Sequence, residues 1–166
     1  MDGHAVAPSS YDVNPAGFTI HSAVHMGRPE AGCVLHTHTV AGVAVSSLAC
    51  GLQPVNQWAL QFYNRVAYHD YEGIALDLEE RERLVADLGR HKAMILRNHG
   101  LLTVGATVAE AFILMLNLDR ACRVQLAIQS TGQATYGQPQ VSEKTARQYA
   151  SGDTNRLPGS TDPSER

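Results

Sequence analysis

The chain lacks a cysteine framework, a long apolar run and any surplus of positive charge. Its three cysteines, Cys33, Cys50 and Cys122, are odd in number and widely spaced. Disulfide-stapled secreted domains carry even sets, so these residues read as reduced, packed thiols in a cytoplasmic protein, with Cys33 and Cys50 among apolar neighbours. The longest apolar run, Ala111 to Leu116, falls far short of the roughly 20 residues that cross a bilayer, so no membrane partner is expected. The opening stretch, MDGHAVAPSS, has neither a basic nor an apolar region, and no signal peptide is read there. The formal charge is −3 with histidines neutral. No basic stripe is available to neutralise phosphates, which excludes nucleic acid as the expected partner.

What is present fits one globular domain. Apolar residues make up 44% of the 166 and charged ones 17%, enough to bury a core and too little charge for disorder. Residues 1–13 read as an extended N-terminal segment, 14–132 as the core, and 133–166 as a polar, flexible tail. Phe18 to Met26 suits a short helix, ended by Arg28-Pro29. Cys33-Val34-Leu35 is apolar on both faces and reads as a buried central strand. Residues 40–49 read as a closely packed helix ended by Gly51, and 53–72 as short strands mixed with loop. Asp77 to Gly89 carries a stripe of Leu78, Leu84, Val85 and Leu88, with Gly89 as the cap. Ala93 to Leu96, the turn Asn98-His99-Gly100 and Leu101 to Val104 form an expected hairpin. Thr107 and Glu110 make a capping box for a helix running to about Ser130.

Eight histidines are the chemically distinctive feature. His36 and His38 are two apart at a strand end, so both lie on one face with Thr37 on the other. Paired imidazoles on a rigid strand suit zinc, which favours nitrogen ligands. They would equally serve as strand-end histidines bonded to neighbours. His99 lies 63 residues after His36 in a tight turn, and Gly100 lets the backbone turn sharply beside it. Spacing alone leaves open whether His99 joins the pair or is simply a turn residue. His21 and His25, four apart, share a helix face. His4 and His91 read as exposed.

Four stretches carry a family resemblance: NPAGFTIHSAVHMGRPEAGCVLHTHT, AGVAVSSLACGL, FYNRVAYHDYEGIAL and ILRNHGLLTVGATVAEAF. Together they resemble the class II aldolase/adducin family from Asn14 to about Gly132, with the adducin-like branch nearest at Asn14 to Phe18. The resemblance implies an α/β fold with a central, largely antiparallel sheet flanked by helices on both sides. It implies zinc, or another divalent metal such as manganese or cobalt, on His36, His38 and His99. It implies lyase ancestry, by aldol cleavage or decarboxylation of a small hydroxy-carbonyl substrate through a zinc-stabilised enediolate. It also implies a homotetramer with sites at subunit interfaces. The sequence departs from the family in three ways. The family's catalytic acid falls at Gly17, which transfers no proton. Pro15 and Ala16 stand where several aldolases have phosphate-holding serines. The helix and phosphate-loop hairpin that open the family fold precede the matched region, and the family's closing helix region is not read at the C-terminus. Replacement proton carriers to weigh are His21, His25 and Tyr63, the last in a polar-aromatic cluster with Tyr68, His69 and Asp70, while Glu72 is a surrogate carboxylate that its spacing does not support. The alternative is a non-catalytic, adducin-like role in structure or interaction.

Overall fold

The computed structural model describes residues 7–71, 73 and 80–151. His4, Glu72, Leu78 and the segment 152–166 lie outside these residues.

Asn14 sets the first boundary. Its side chain accepts hydrogen bonds from Ala16 N at 3.1 Å and Gly17 N at 3.5 Å, and Pro15 follows at the first helical position, where its missing N–H costs nothing. Helix α1 therefore spans Pro15–Gly27, opening three residues before the apolar pattern that begins at Phe18. Gly17 sits inside its first turn. Strand β1 (Cys33–Thr37) follows, then α2 (Val40–Ser46), whose cap is the Thr39 hydroxyl. The aromatic-rich stretch forms a short helix, α3 (Gln57–Gln61), and one strand, β2 (Val66–His69). Helix α4 (Glu80–Leu88) ends at Gly89, whose φ of +51° is the left-handed cap conformation that glycine adopts freely. Strands β3 (Ala93–Leu96) and β4 (Gly100–Gly105) make the expected hairpin. Helix α5 (Val108–Gln129) starts at the Thr107 hydroxyl, which accepts from Glu110 N. Glu110 reaches past Thr107 to accept from Ala106 N at 2.7 Å.

The four strands lie in the order β1-β4-β3-β2. β4 is antiparallel to both neighbours, and β2 runs parallel to β3. The sheet is thus largely antiparallel, with helices on both faces. Ile20, Val24, Leu84 and Leu88 of α1 and α4 pack on one face against Val34, Met94, Leu96, Leu102 and Val104. Val45, Met115, Leu118 and Cys122 of α2 and α5 pack on the other against Ala93, Ile95 and Leu101. Alternate residues of β3 and β4 serve opposite layers, so both strands are fully buried and, Thr103 apart, carry no polar side chain.

Four sequence expectations change. β1 is an edge strand among the described residues, with one residue of five buried; the centre belongs to β3 and β4. Within the segment read as a flexible tail, residues 139–151 form α6 (Pro139–Ser151). That helix packs on α3 and is pinned by the two-pronged ion pair of Arg65 with Glu143, at 2.7 and 3.0 Å. Cys50 is exposed, while Cys122 is fully buried, and burial pushes its thiol up to about 12. His91 is half-buried. No described helix is long and apolar enough to cross a membrane.

Candidate metal centre

β1, β2 and β3 all point the same way, so their C-terminal ends meet at one edge of the sheet. His36 and His38 lie at the end of β1 there. His99 sits just past the end of β3. The three rings form a near-regular triangle, with centroids 4.6, 4.8 and 4.7 Å apart. One nitrogen from each lies within 4.8 Å of the others. Thr37 faces the opposite layer, where its hydroxyl contacts the Met115 sulfur at 3.2 Å. This is the alternation expected of a strand.

The tautomer of His36 follows from its partner. Nδ1 lies 2.9 Å from the Leu101 carbonyl oxygen, which only accepts, so Nδ1 carries the proton and Nε2 presents a lone pair. That lone pair points at His38 Nε2, 2.7 Å away. Two imidazole nitrogens at this separation share one proton or face one cation. Burial first, then repulsion from His99, His38 and His21, holds the His36 imidazole down to about 4. Burial and the neighbouring His38 and His69 also lower His99. Neutral nitrogens converging in this way suit a divalent ion, and no carboxylate joins the set among the described residues.

Backbone packing brings the three imidazoles together. A Cβ at Gly100 would overlap the Thr37 carbonyl oxygen and approach the His38 ring to 3.1 Å. Only glycine lets the turn after His99 lie flat on the end of β1. Asn98 takes a φ of +54°, a left-handed conformation that asparagine tolerates.

The other sequence candidates separate. His21 is close enough for its charge to depress the His36 pKa, and burial, then His25, lowers its own. It lies one turn along from Gly17 on the same helix face. His25 is engaged elsewhere, with Nδ1 3.1 Å from the Ala31 carbonyl. Tyr63 precedes β2 and so lies at the opposite end of the sheet from the three histidines in this chain. Tyr68 is a structural post: its hydroxyl accepts from Leu52 N at 3.1 Å, and the Arg97 guanidinium covers its ring at 4.3 Å. His69 is 4% exposed; its Nδ1 lies 2.7 Å from the Asp87 carboxylate, and its Nε2 lacks a hydrogen bond among the described residues, with Glu80 at 3.5 Å. Asp70 is exposed. Tyr71, not singled out from sequence, stands 6.3 Å from His99 by ring centroids, and its only signal was its place beside His69 and Asp70. Gly17 has no positive φ, and a Cβ there meets nothing nearer than 3.9 Å. A cavity of about 580 Å³ lies at the opposite end of the sheet. Arg65 and Lys92 on its wall are already paired with Glu143 and Glu110.

Titration of this cluster sets a pH dependence for the metal-free chain. The folded pKa of His36 is about 4, below the unfolded value of about 6.5. Between these values the unfolded chain binds more protons. The contribution is therefore complete above about pH 6.5 and is lost as pH falls toward 4. Urea midpoints of chelator-treated protein should be lower at pH 5 than at pH 7, and His36→Asn should flatten the difference. Equal midpoints in the unaltered chain would contradict this.

Known proteins resemble this chain in sequence and fold. A family model described as "Class II Aldolase and Adducin N-terminal domain" matches residues 1–126. A "Putative aldolase class 2 protein" of Caulobacter vibrioides is 54% identical over 132 residues, covering 80% of this chain and 51% of that protein. The crystal structure of an aldolase II superfamily protein from Pseudomonas syringae superposes with a TM-score of 0.81 at 50% identity, over 85% of this chain and 58% of that one. An L-fuculose 1-phosphate aldolase from Glaciozyma antarctica gives 0.77 at 33% identity, over 89% and 57%. The chain spans about half the length of the curated relatives it matches.

Proposed function

Because the chain belongs to the class II aldolase and adducin family, we propose that it holds a divalent metal, zinc before manganese or cobalt, on His36, His38 and His99. On this reading it acts as a lyase on a small hydroxy-carbonyl compound. The observation that carries the reading is the convergence of three imidazole nitrogens within 4.8 Å, one with its tautomer fixed by the Leu101 carbonyl. A divalent ion there supplies Lewis-acid polarisation of a carbonyl oxygen, the electron sink that carbon–carbon cleavage needs.

The chain's own residues supply the rest. Leu101 orients His36, and burial keeps the His36 and His99 rings neutral at pH 7. His38 is exposed and leaves that side open to substrate. Gly17 carries no proton, so His21, on the same face of α1, is the group this reading favours for taking or returning one. The first turn of α1 is a poor phosphate holder: Pro15 has no N–H, Ala16 no side-chain donor, and the N–H groups of Ala16 and Gly17 already point at Asn14. This favours an unphosphorylated substrate that binds by its own oxygens, in contrast to the L-fuculose 1-phosphate aldolase it resembles in fold.

The same reading includes a homo-oligomer, a tetramer by resemblance, in the cytoplasm. Its support is the edge of β1, unpaired among the described residues, and the outer face of α5, where Val108, Phe112 and Ile113 are 68, 55 and 50% exposed. A second reading, a non-catalytic role nearer the adducins, is favoured by Gly17 and by the 51% identity over 115 residues to the alpha-adducin of Rattus norvegicus. Elemental analysis followed by turnover assays on small hydroxy-carbonyl compounds, with and without chelator, separates the two. The enzyme reading expects about one ion per chain and chelator-sensitive turnover. An ion without turnover favours the second reading. No ion after zinc is supplied removes the metal assignment.

A further inference from the structure

We infer that Ser46 is a positioning residue for His99, a role that rests on the metal-binding reading above. One helix lies between the two halves of the histidine cluster. α2 starts immediately after His38, at the Thr39 cap, where the hydroxyl accepts from Gly42 N at 3.1 Å. It lies flush on the sheet: a Cβ at Gly42 would come within 2.7 Å of the Leu101 side chain and 2.8 Å of the Thr39 hydroxyl. The helix is therefore locked to the residue whose carbonyl orients His36. Seven residues after Thr39 it ends at Ser46, which is 1% exposed.

Ser46 holds the turn that carries His99 at two points. Its carbonyl accepts from Asn98 N, and its hydroxyl accepts from His99 N, each at 3.2 Å. The hydroxyl proton is committed to the Val43 carbonyl at 2.7 Å, so the oxygen is turned to receive the His99 N–H. Nearby, Arg97 donates to the Leu48 carbonyl at 2.9 Å, reinforcing the same junction. One short helix thus joins the ligand pair to the third ligand. The Ser46 hydroxyl is its only side-chain link to the backbone of His99 among the described residues. Without it the His99 N–H keeps only the Leu96 carbonyl, at 3.1 Å within its own turn. The turn, already holding Asn98 at positive φ, is then freer to shift the Cα that bears the imidazole. Ser46 touches neither metal nor substrate; it acts through His99.

The test uses cobalt(II) as the probe, because its visible absorption reports ligand geometry directly. Ser46→Ala is compared with the unaltered chain and with Ser142→Ala, which removes another fully buried serine hydroxyl from α6, outside the histidine cluster. Ser46→Ala should weaken cobalt and zinc affinity about tenfold, as loss of an outer-shell partner does, and should shift the cobalt bands. Ser142→Ala should leave both unchanged. Thermal unfolding without metal checks that each variant folds, and Ser46→Gly repeats the measurement if the alanine variant does not. Unaltered affinity and bands in Ser46→Ala overturn the positioning role, whatever happens to the melting temperature. Failure of the unaltered chain to take up cobalt or zinc overturns the metal reading as well, so the two failures are distinguishable.

Discussion

Replacing His99 with alanine should lower zinc affinity by roughly a hundredfold or more, beyond the usual ~10- to 100-fold range for outer-shell partners. A ligand supplies a metal bond, and two imidazoles hold a divalent ion far more weakly than three. His36→Ala should match it, because the His36 lone pair is aimed by the Leu101 carbonyl. His38 is exposed, yet its Nε2 lies 2.7 Å from that of His36, so its removal should be nearly as costly. Competition against a chelating dye gives the affinities. Thermal unfolding with and without zinc gives an independent reading, since an ion that binds only the folded chain raises its melting temperature. In the unaltered chain zinc should raise it; in His99→Ala the same zinc should do almost nothing. Affinities within about threefold of the unaltered chain, a difference well under the ~1.4 kcal/mol of a tenfold change, would show that these imidazoles do not hold the ion together.

Gly100→Ala should be the most destabilising single-methyl change at the site, costing about 2–4 kcal/mol. The new Cβ would overlap the Thr37 carbonyl oxygen, and that oxygen belongs to the backbone of β1, where no rotamer change relieves it. Either β1 parts from β4 at its end or the turn rises off the sheet, and both separate His38 from His99. Denaturant midpoints should fall with little change in slope. The metal affinity should fall too, which a loss of stability at a remote site would not produce. Gly17→Ala is the contrast. Gly17 is helical, and a Cβ there meets Asn14 only at an ordinary contact distance of 3.9 Å, so an added methyl should stabilise by about 0.5–1 kcal/mol. A Gly100→Ala chain as stable as the original would mean that the close approach of turn and strand does not exist in solution.

Much of the site is legible in the amino-acid sequence. The period of two places His36 and His38 together with Thr37 opposite, because alternation depends only on the strand's own backbone. The hairpin around His99 is legible from two apolar runs and a glycine turn. The cap at Gly89 and the start of α5 at Thr107 follow from local hydrogen-bond chemistry. Asn14-Pro15 is an equally local signal, and the apolar pattern taken without it starts the helix three residues late. What the sequence by itself determined, then, were features set by residues within a few positions of one another: periodicity, caps, turns and the pairing of His36 with His38 on one strand face.

The tertiary structure decided the rest. That His99 meets His36 and His38 depends on β4 lying between β1 and β3, which brings their C-terminal ends to one edge of the sheet. Strand order is chosen by burial over the whole core, and no local pattern encodes it; hence β1 reads as central and is an edge among the described residues. α6 reads as tail because its side chains are mostly polar, yet Arg65, far away in sequence, gives Glu143 a partner. Ser46 carries no signal at all: a serine near the end of a helix is ordinary until the fold sets the His99 amide 3.2 Å from its oxygen. The choice of histidine was local chemistry, while the arrangement of the three rings was a property of contacts between residues some 50 to 65 positions apart.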